Sequence, residues 1–501
     1  VSFTEELIRY RLHRMLIIPS PPTPNGGLHL GHLAGPYLRS DLYKRFLQVR
    51  NSDVKMIFGI DAFDLYMAFD AKAKGKEEVA LINENYDKIK TDLSDADIAV
   101  DDLINPLDYT KELEDIADTF YSLVSGHTRH LKKISYVIRN PGEPAVLPPM
   151  IQSTCLICQS SMSGNVCEGC GGTFNIFDLK ECTIDSELLL PAEEDCICLE
   201  IDGWDDILTS TLSSQPIVKK VWEGVSDYYK GLKYINLLHR YDWGIKVKYE
   251  GIYYKLNTYA NRFILNQIYG ARYQTLTNSD SNPYSRGTDV KIVSFFGKDN
   301  ILSNLFNKFH FVQALSEFKM EDLFIVNDFY LLEGKKFSTS RNHKITCKEL
   351  MTSYGVGSDE IRFYLTLTSP SNNETNFTKQ GFEECLSTVI NPLKETINTS
   401  EIDVHSSDFN ISDFIRNAGS AFFEKQNVIM DAGNFVPEKN IELIHEWLDV
   451  RNSIDADSDR VFWMKLMLLF LYPIMPFYTS EIWRKRFDHQ EMSFECINNY
   501  V

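Results

Sequence analysis

Short, mostly apolar runs alternate along this chain with longer segments of helical period. Residues 15–20 (MLIIPS) and 54–60 (VKMIFGI) are mostly apolar, as strands covered on both faces are. Between them lie a Pro/Gly-rich turn at 21–27 and a helical pattern over 28–50. Strand, helix and strand within about 50 residues form a βαβ unit, and therefore part of a parallel sheet covered by helices. Residues 62–135 are charged and mostly helical in pattern. The character then changes to a proline-rich stretch at 141–149, paired cysteines, and short β-prone runs such as 196–201. Sheet-forming sequence resumes near 241 and includes 290–296 and 323–332.

After about residue 380 the pattern is helical to the end, broken near 406–413 and 434–440, which predicts a helical bundle. The polar stretch 369–378 (SPSNNETNFT) reads as a surface loop. The expected fold is α/β. A Rossmann-type parallel sheet is split into halves at 1–125 and 241–345 by a connective insertion at 126–240. A linking segment at 346–380 leads to an all-α bundle at 381–501.

Composition narrows the class. Apolar residues are 44% and aromatics 12%, enough for sizeable cores and too many for a disordered or fibrous chain. The formal net charge of −19 repels membranes and nucleic acid alike, so a tRNA partner has to be met by local basic patches. The most apolar stretch, 461–477, contains Lys465, Pro473 and Pro476; it reads as a buried bundle helix ending at a proline, not a membrane span. Ten cysteines in a long chain do not make a disulfide scaffold, and the first 14 residues lack a signal-peptide apolar core, so the expected location is cytoplasmic.

Three constellations carry chemistry. The first, residues 22–32 (PTPNGGLHLGH), lies where a strand turns into a helix. Backbone N–H groups left free at a helix start favour an anion, and His29 and His32, three apart, share a face. Asn25 belongs to the turn, and Gly31 leaves room for a flat base or sugar. The alternative is two polar residues on an ordinary first turn. The second, residues 334–341 (GKKFSTSR), offers Lys335, Lys336, Ser338, Thr339 and Ser340 on a loop that can close over a triphosphate. It lacks the glycine spacing of a P-loop, and alone it reads equally as an exposed basic turn. The third pairs Cys155 with Cys158 and Cys167 with Cys170 inside 150–175, the spacing of a closed, structural Zn2+ knuckle. Free buried thiols or a redox pair are its alternatives. Cys196 and Cys198 read as packing, as do Trp447 and Trp463.

Together the first two stretches resemble the HIGH and KMSKS motifs of class I aminoacyl-tRNA synthetases, and the chain is most similar to methionyl-tRNA synthetases. Residues 29–35 look like that family's HLGHLAG, and a zinc knuckle in the insertion is similar too. Gly59-Ile60-Asp61 stands where the family has GTD, and 296–299 (FGKD) resembles its FxGKD. The resemblance implies an adenylate-forming ligase that uses ATP and Mg2+. His29 and His32 would stabilise the phosphates, Lys336 the leaving pyrophosphate, Asp299 the ribose, and Asp61 the substrate's ammonium.

Departures are equally specific. Thr339 replaces a KMSKS lysine. The family's ALPY becomes Ser20-Pro21-Pro22-Thr23, and Pro21 has no N–H to offer. Its WLDAPIGY lines up with 257–264 (NTYANRFI), which puts Asn257 and Ile264 in place of the Trp and Tyr walls, with Asn261 between them. Asn300 and Asn304 follow the GKD segment. A pocket of Asn and Thr discriminates by hydrogen bonding, so the expected substrate is smaller or more polar than methionine. The family reads a CAU anticodon with Asn, Arg and Trp; here Thr396 and Ser400 stand at the apparent equivalents. The basic cluster 484–486 could touch phosphate or simply end a helix. Three readings of the second step stay open. One is transfer to tRNA. The second is transfer to an amine, peptide or carrier protein by a specialised paralogue in secondary metabolism. The third is a catalytically silent, synthetase-like binding protein.

Overall fold

The computed structural model describes residues 14–143, 145–167, 169–201, 216–337, 343–402, 410–487 and 491–497. Five parallel strands form the central sheet: β1 (Arg14–Pro19), β2 (Asp53–Gly59), β3 (Asp102–Ile104), β4 (Lys291–Gly297) and β5 (Leu323–Asn327), in the order β5-β4-β1-β2-β3. Leu16, Ile17, Met56, Ile57, Phe58, Ile292, Val293 and Phe296 show no exposed surface, as expected for a sheet with helices on both faces. Chain order runs outward from β1 in both directions, so the gap beyond the carboxyl ends of β1 and β4 is the switch point where open α/β sheets bind ligands. There the two strands stay in register: Pro19 pairs with Phe295, and the Ser20 N–H donates to Phe295 O at 2.7 Å.

Several elements differ from the sequence reading. The helix expected over 28–50 starts as a three-residue turn, Leu30–His32, passes through a wide turn at Leu33–Tyr37, and becomes regular only at Leu38–Gln48. Pro36 has no N–H for the helical ladder, and Gly35 next to it leaves helical geometry. β3 is three residues long, too short to stand out among helices. The run 323–332 is not one strand. It breaks at Asp328, and Tyr330–Leu332 joins a separate small sheet beside Thr375–Phe377. The stretch 369–378 is therefore not a simple surface loop. Ser369 and Ser371 are buried and accept from the Arg39 guanidinium at 2.8 and 2.6 Å.

The insertion's antiparallel sheet, ordered Lys246–Tyr249, Ile252–Leu256, Tyr234–His239, Leu190–Glu200, Thr128–Ile138, runs past the boundary expected at 240: the first two strands, read from the sequence as part of the second Rossmann half, pair here instead. A small module with the paired cysteines sits on it and has its own core around Ile151, Met162 and Leu179. Beyond Lys379 the described residues are helical: Asp413–Ile429, Glu438–Val450, Asp457–Leu471 and Pro476–Arg486 form the bundle, and Pro476 opens the last helix. Trp447 and Trp463 are wholly buried and donate to each other's carbonyls at 3.1 and 2.8 Å, as packing residues do. Asp41, fully buried, joins bundle to sheet domain: it accepts from Arg45 at 2.7 Å and from Arg362 at 2.6 Å, and Arg362 also donates to Pro473 O and Ile474 O. Among the described residues no helix is long and apolar enough to cross a membrane.

Candidate active site

The turn after β1 sets the first group. His29 precedes the short Leu30–His32 helix in extended geometry, so its ring folds back over the ring of His32, with centroids 3.8 Å apart. Phe337 stacks on the other face of His29 at 4.5 Å, and Tyr330 stacks beyond it at 6.5 Å. The lysine-bearing turn thus lies directly over the paired imidazoles. A Cβ at Gly31 would stand 2.7 Å from the Phe337 ring and 3.1 Å from His29, so only glycine fits there. The space expected for a flat base against Gly31 is taken by Phe337.

Burial, together with Lys344 nearby, pulls the His32 imidazole down to about 4. Burial, then His32, takes His29 to about 2. Both rings are therefore neutral near pH 7 and offer polar N–H groups, not cations. The His29 Nδ1 is buried with no hydrogen-bond partner among the described residues.

One expectation is corrected. Three backbone N–H groups at this helix start are not free for an anion. That of Leu28 donates to Asp92 at 2.6 Å and that of Leu30 to Ile345 O at 3.0 Å, while His29 N–H faces His32 Nδ1 at 3.4 Å.

The turn after β4 brings in Asp299, which faces the main cleft; Asn300 donates to it at 3.1 Å. Lys298 forms an ion pair with Asp328 and lies 4.3 Å over the Phe329 ring, with Lys336 4.0 Å over the same ring. Lys335 is exposed. Ser338, Thr339 and Ser340 lie outside the described residues. Asn25 stays at the rim, its carbonyl accepting from Lys74 at 3.2 Å.

The third group lies at the end of β2. Asp61 N–H donates to Pro22 O at 2.9 Å, which ties it to the turn holding Ser20, Pro21 and Thr23. Its carboxylate meets Arg262 Nη2 at 3.2 Å, and both side chains are buried. Burial pushes the Asp61 carboxyl up, against the pull of Arg262. Asp64 accepts from Tyr259 OH at 3.0 Å and Thr23 Oγ1 at 3.5 Å. Asp64, Tyr259 and Arg262 are additions to the sequence-derived set; Arg262 sits within the quoted 257–264 segment, but nothing in the sequence says that it reaches Asp61.

Two residues of that set face elsewhere. Asn261 spends its side chain on Leu237 O, Asn257 O and Tyr121 OH, and Ile264 is sealed in the core. Asn257 borders the cleft, although its amide donates to Asn236 O at 3.0 Å. Asn304 is buried with Nδ2 unpartnered among the described residues. The cleft has a volume of about 660 Å³. It runs between the sheet end and the insertion, with Asp64, Tyr259, Thr258 and Asp299 on one side and Ser163 and Glu194 on the other.

The four sulfur atoms of Cys155, Cys158, Cys167 and Cys170 lie within 4.8 Å of one another, with the 155–170 and 158–167 pairs at 3.6 Å. Metal–sulfur bonds of about 2.3 Å in a tetrahedron put sulfurs about 3.8 Å apart, so the cluster fits Zn2+ with no ligand position left open. A Cβ at Gly171 would meet Lys298 O at 3.1 Å, so the knuckle rests on the turn that carries Asp299.

A family model for tRNA synthetases class I (M) matches residues 15–398. The chain belongs to this class I tRNA synthetase family. Within it, a methionine–tRNA ligase of Flavobacterium johnsoniae is 26% identical over 383 residues, covering 74% of this chain and 53% of that protein. One from Chlamydia abortus is 25% identical over 514 residues, covering 94% and 91%. The chain spans about half the length of the Flavobacterium relative and of similar ones. The Mycobacterium tuberculosis methionyl-tRNA synthetase solved with methionyl-adenylate shares the fold, with a TM-score of 0.70 at 15% identity over 97% of this chain and 96% of that one. The Rossmann-type sheet, cysteine-bearing insertion and terminal bundle anticipated from the sequence are thus those of a class I tRNA synthetase.

Proposed function

We propose that the chain activates an amino acid other than methionine with ATP and Mg2+ and passes the aminoacyl group to tRNA. The observation that carries this reading is the meeting of three distant segments at one sheet end: His29 and His32, the Lys298–Asp299 turn, and the Lys336–Phe337 turn. The amino-acid carboxylate attacks the α-phosphorus and pyrophosphate leaves. The neutral imidazoles donate to the phosphates, Asp299 holds the ribose, and Lys336 with Lys335 and the loop beyond screens the departing charge. Asp61 takes the ammonium. Zn2+ in the Cys155–Cys170 cluster is structural and steadies the Asp299 turn from behind. A cytoplasmic location accompanies this role. Pro21, Asn257 and the Arg262 cation oppose methionine, because they stand where the family offers an N–H, a Trp and an apolar residue.

A second reading, transfer to an amine, peptide or carrier protein, is kept by the bundle. Thr396 and Ser400 spend their hydroxyls on Pro392 O and Thr396 O of their own helix, and Arg486 is bound to three carbonyls. Pyrophosphate exchange over a panel of amino acids is the test. A signal that depends on one amino acid other than methionine is expected; none with any amino acid would leave only a silent binding protein. Charging of total tRNA with the preferred amino acid then separates the two acceptors.

A further inference from the structure

Asp61 and Arg262 form the least satisfied charged pair in the site. Arg262, the first residue of the helix Arg262–Thr277, is 4% exposed and uses one nitrogen, Nη2, on Asp61; Nε and Nη1 have no hydrogen-bond partner among the described residues. Asp61 is 2% exposed and uses one oxygen, Oδ2; Oδ1 has none either. Neighbouring polar groups leave fewer atoms open: among the described residues Glu321 lacks a partner for Oε2 and Asn304 for Nδ2, against three atoms in this one ion pair. Asp64 accepts from Tyr259, Thr23 and the Tyr66 N–H. Lys308 and Glu321 neutralise each other, and Asn266 and Tyr284 complete Glu321 Oε1. Buried groups left unpaired oppose folding, and such sites persist where a ligand completes them.

What is missing beside this pair is a donor for Asp61 Oδ1 and an acceptor for Arg262, a few ångströms apart. An amino acid supplies the donor as its α-ammonium. Its α-carboxylate is a poor candidate for the acceptor: it has to reach the α-phosphorus, and a guanidinium clamp would hold it back and quench its nucleophilicity. The acceptor is then a second carboxylate, one or two methylenes from the α-carbon, which spans the adjacent pair. Tyr259 and Asp64, hydrogen-bonded to each other, line the cleft, and the Arg262 guanidinium lies 5.7 Å from the centre of the Tyr259 ring, so the pair adjoins the cleft through polar side chains.

We propose that the activated substrate is an acidic amino acid whose side-chain carboxylate is received by Arg262 while Asp61 takes its α-ammonium. The inference rests on the adenylate-forming reading above. The α-carboxylate oxygen forms the new bond to the α-phosphorus, the bond from that phosphorus to the β-phosphate bridge breaks, and pyrophosphate carries the electrons away. The side-chain carboxylate stays ion-paired and unreacted, so Arg262 also fixes which carboxylate is activated.

The test is pyrophosphate exchange with aspartate, glutamate, asparagine, glutamine and methionine, run on the wild-type chain and on Arg262→Ile and Arg262→Lys. One acid should exceed its own amide by roughly 10- to 100-fold in kcat/KM, the worth of a buried charged hydrogen bond. Arg262→Ile should bring that ratio to about one or below, and Arg262→Lys should restore part of it. Wild-type preference for methionine or an amide overturns this inference and leaves the adenylate reading standing. No exchange with any amino acid overturns both. Should Arg262→Ile melt below the assay temperature, the wild-type ratio and Arg262→Lys still decide; a folded Arg262→Ile that keeps the acid preference overturns the assignment.

Discussion

The two ends of the site are built on opposite principles. At the phosphate end, neutral rings stack on one another, His32 on His29 on Phe337, and two lysines share the Phe329 ring. At the amino-acid end, charges are buried and only half paired, with Asp61 and Arg262 each keeping unused hydrogen-bonding atoms. The first end keeps residues that resemble the class I family's paired histidines, first loop lysine and GKD aspartate, with Thr339 in place of the second loop lysine. The second has exchanged them around a carboxylate it retains. Chemistry common to a family constrains one end, and the choice of substrate is free to drift at the other.

The largest effect belongs to the imidazoles. His29→Ala and His32→Ala should each lower the exchange rate by about 10²–10³-fold, the usual worth of one donor to developing charge, with the amino-acid KM unchanged. Equal movement of both constants would show that the ends are not separable. Next is Asp61→Asn, which should raise the amino-acid KM by roughly 10–100-fold, a charged hydrogen bond's worth, and leave the ATP KM alone. The same variant removes the carboxylate paired with buried Arg262 and leaves it only the more distant Asp64, so its melting temperature should also fall, by the equivalent of about 3–5 kcal/mol at most.

Phe337 gives a smaller and sign-bearing effect. It covers the face of Gly31 that a base would use, so ATP has to displace it. Phe337→Ala should therefore tighten ATP by about 2–10-fold, the range of one aromatic contact, measured as KM for ATP in exchange. Weaker ATP binding would mean instead that Phe337 belongs to the base's own wall.

How much of this could be read in advance follows from how the residues are spaced. The phosphate end was legible because each of its parts is contiguous: HLGH, FGKD and GKKF carry their geometry within a few residues. The cysteine knuckle was legible for the same reason. The pairing of Asp61 with Arg262 was not, because 201 residues separate them and register alone brings them together. Arg39 is a similar case: the helical pattern over 28–50 does not distinguish a buried charge from a solvated one, yet Arg39 is buried on Ser369 and Ser371, residues that looked like loop. Asn261 shows the reverse. A polar residue aligned with a pocket wall turned out to hold backbone carbonyls. Long-range hydrogen bonds decide such cases, and a local pattern does not contain them.

The smallest effect concerns protonation and tests the neutral-ring half of the comparison. An imidazole has an unfolded value near 6.5, and His32 falls to about 4 and His29 to about 2 in the folded chain. Between those values and 6.5 the unfolded chain binds protons that the folded chain does not, so folding stability is complete above about 6.5 and declines as the pH drops towards 4. The slope belongs to both rings down to about 4 and to His29 alone below that. Ring carbon shifts followed by NMR should therefore stay those of neutral imidazole for both residues from pH 8 to about 5.5, while an exposed histidine titrates normally. His29→Ala/His32→Ala should flatten the acid limb of the melting-temperature profile. Either ring titrating near 6.5 would show that it is solvated and gains charge just below neutral pH, and the contrast between stacked neutral rings and buried charges would be lost.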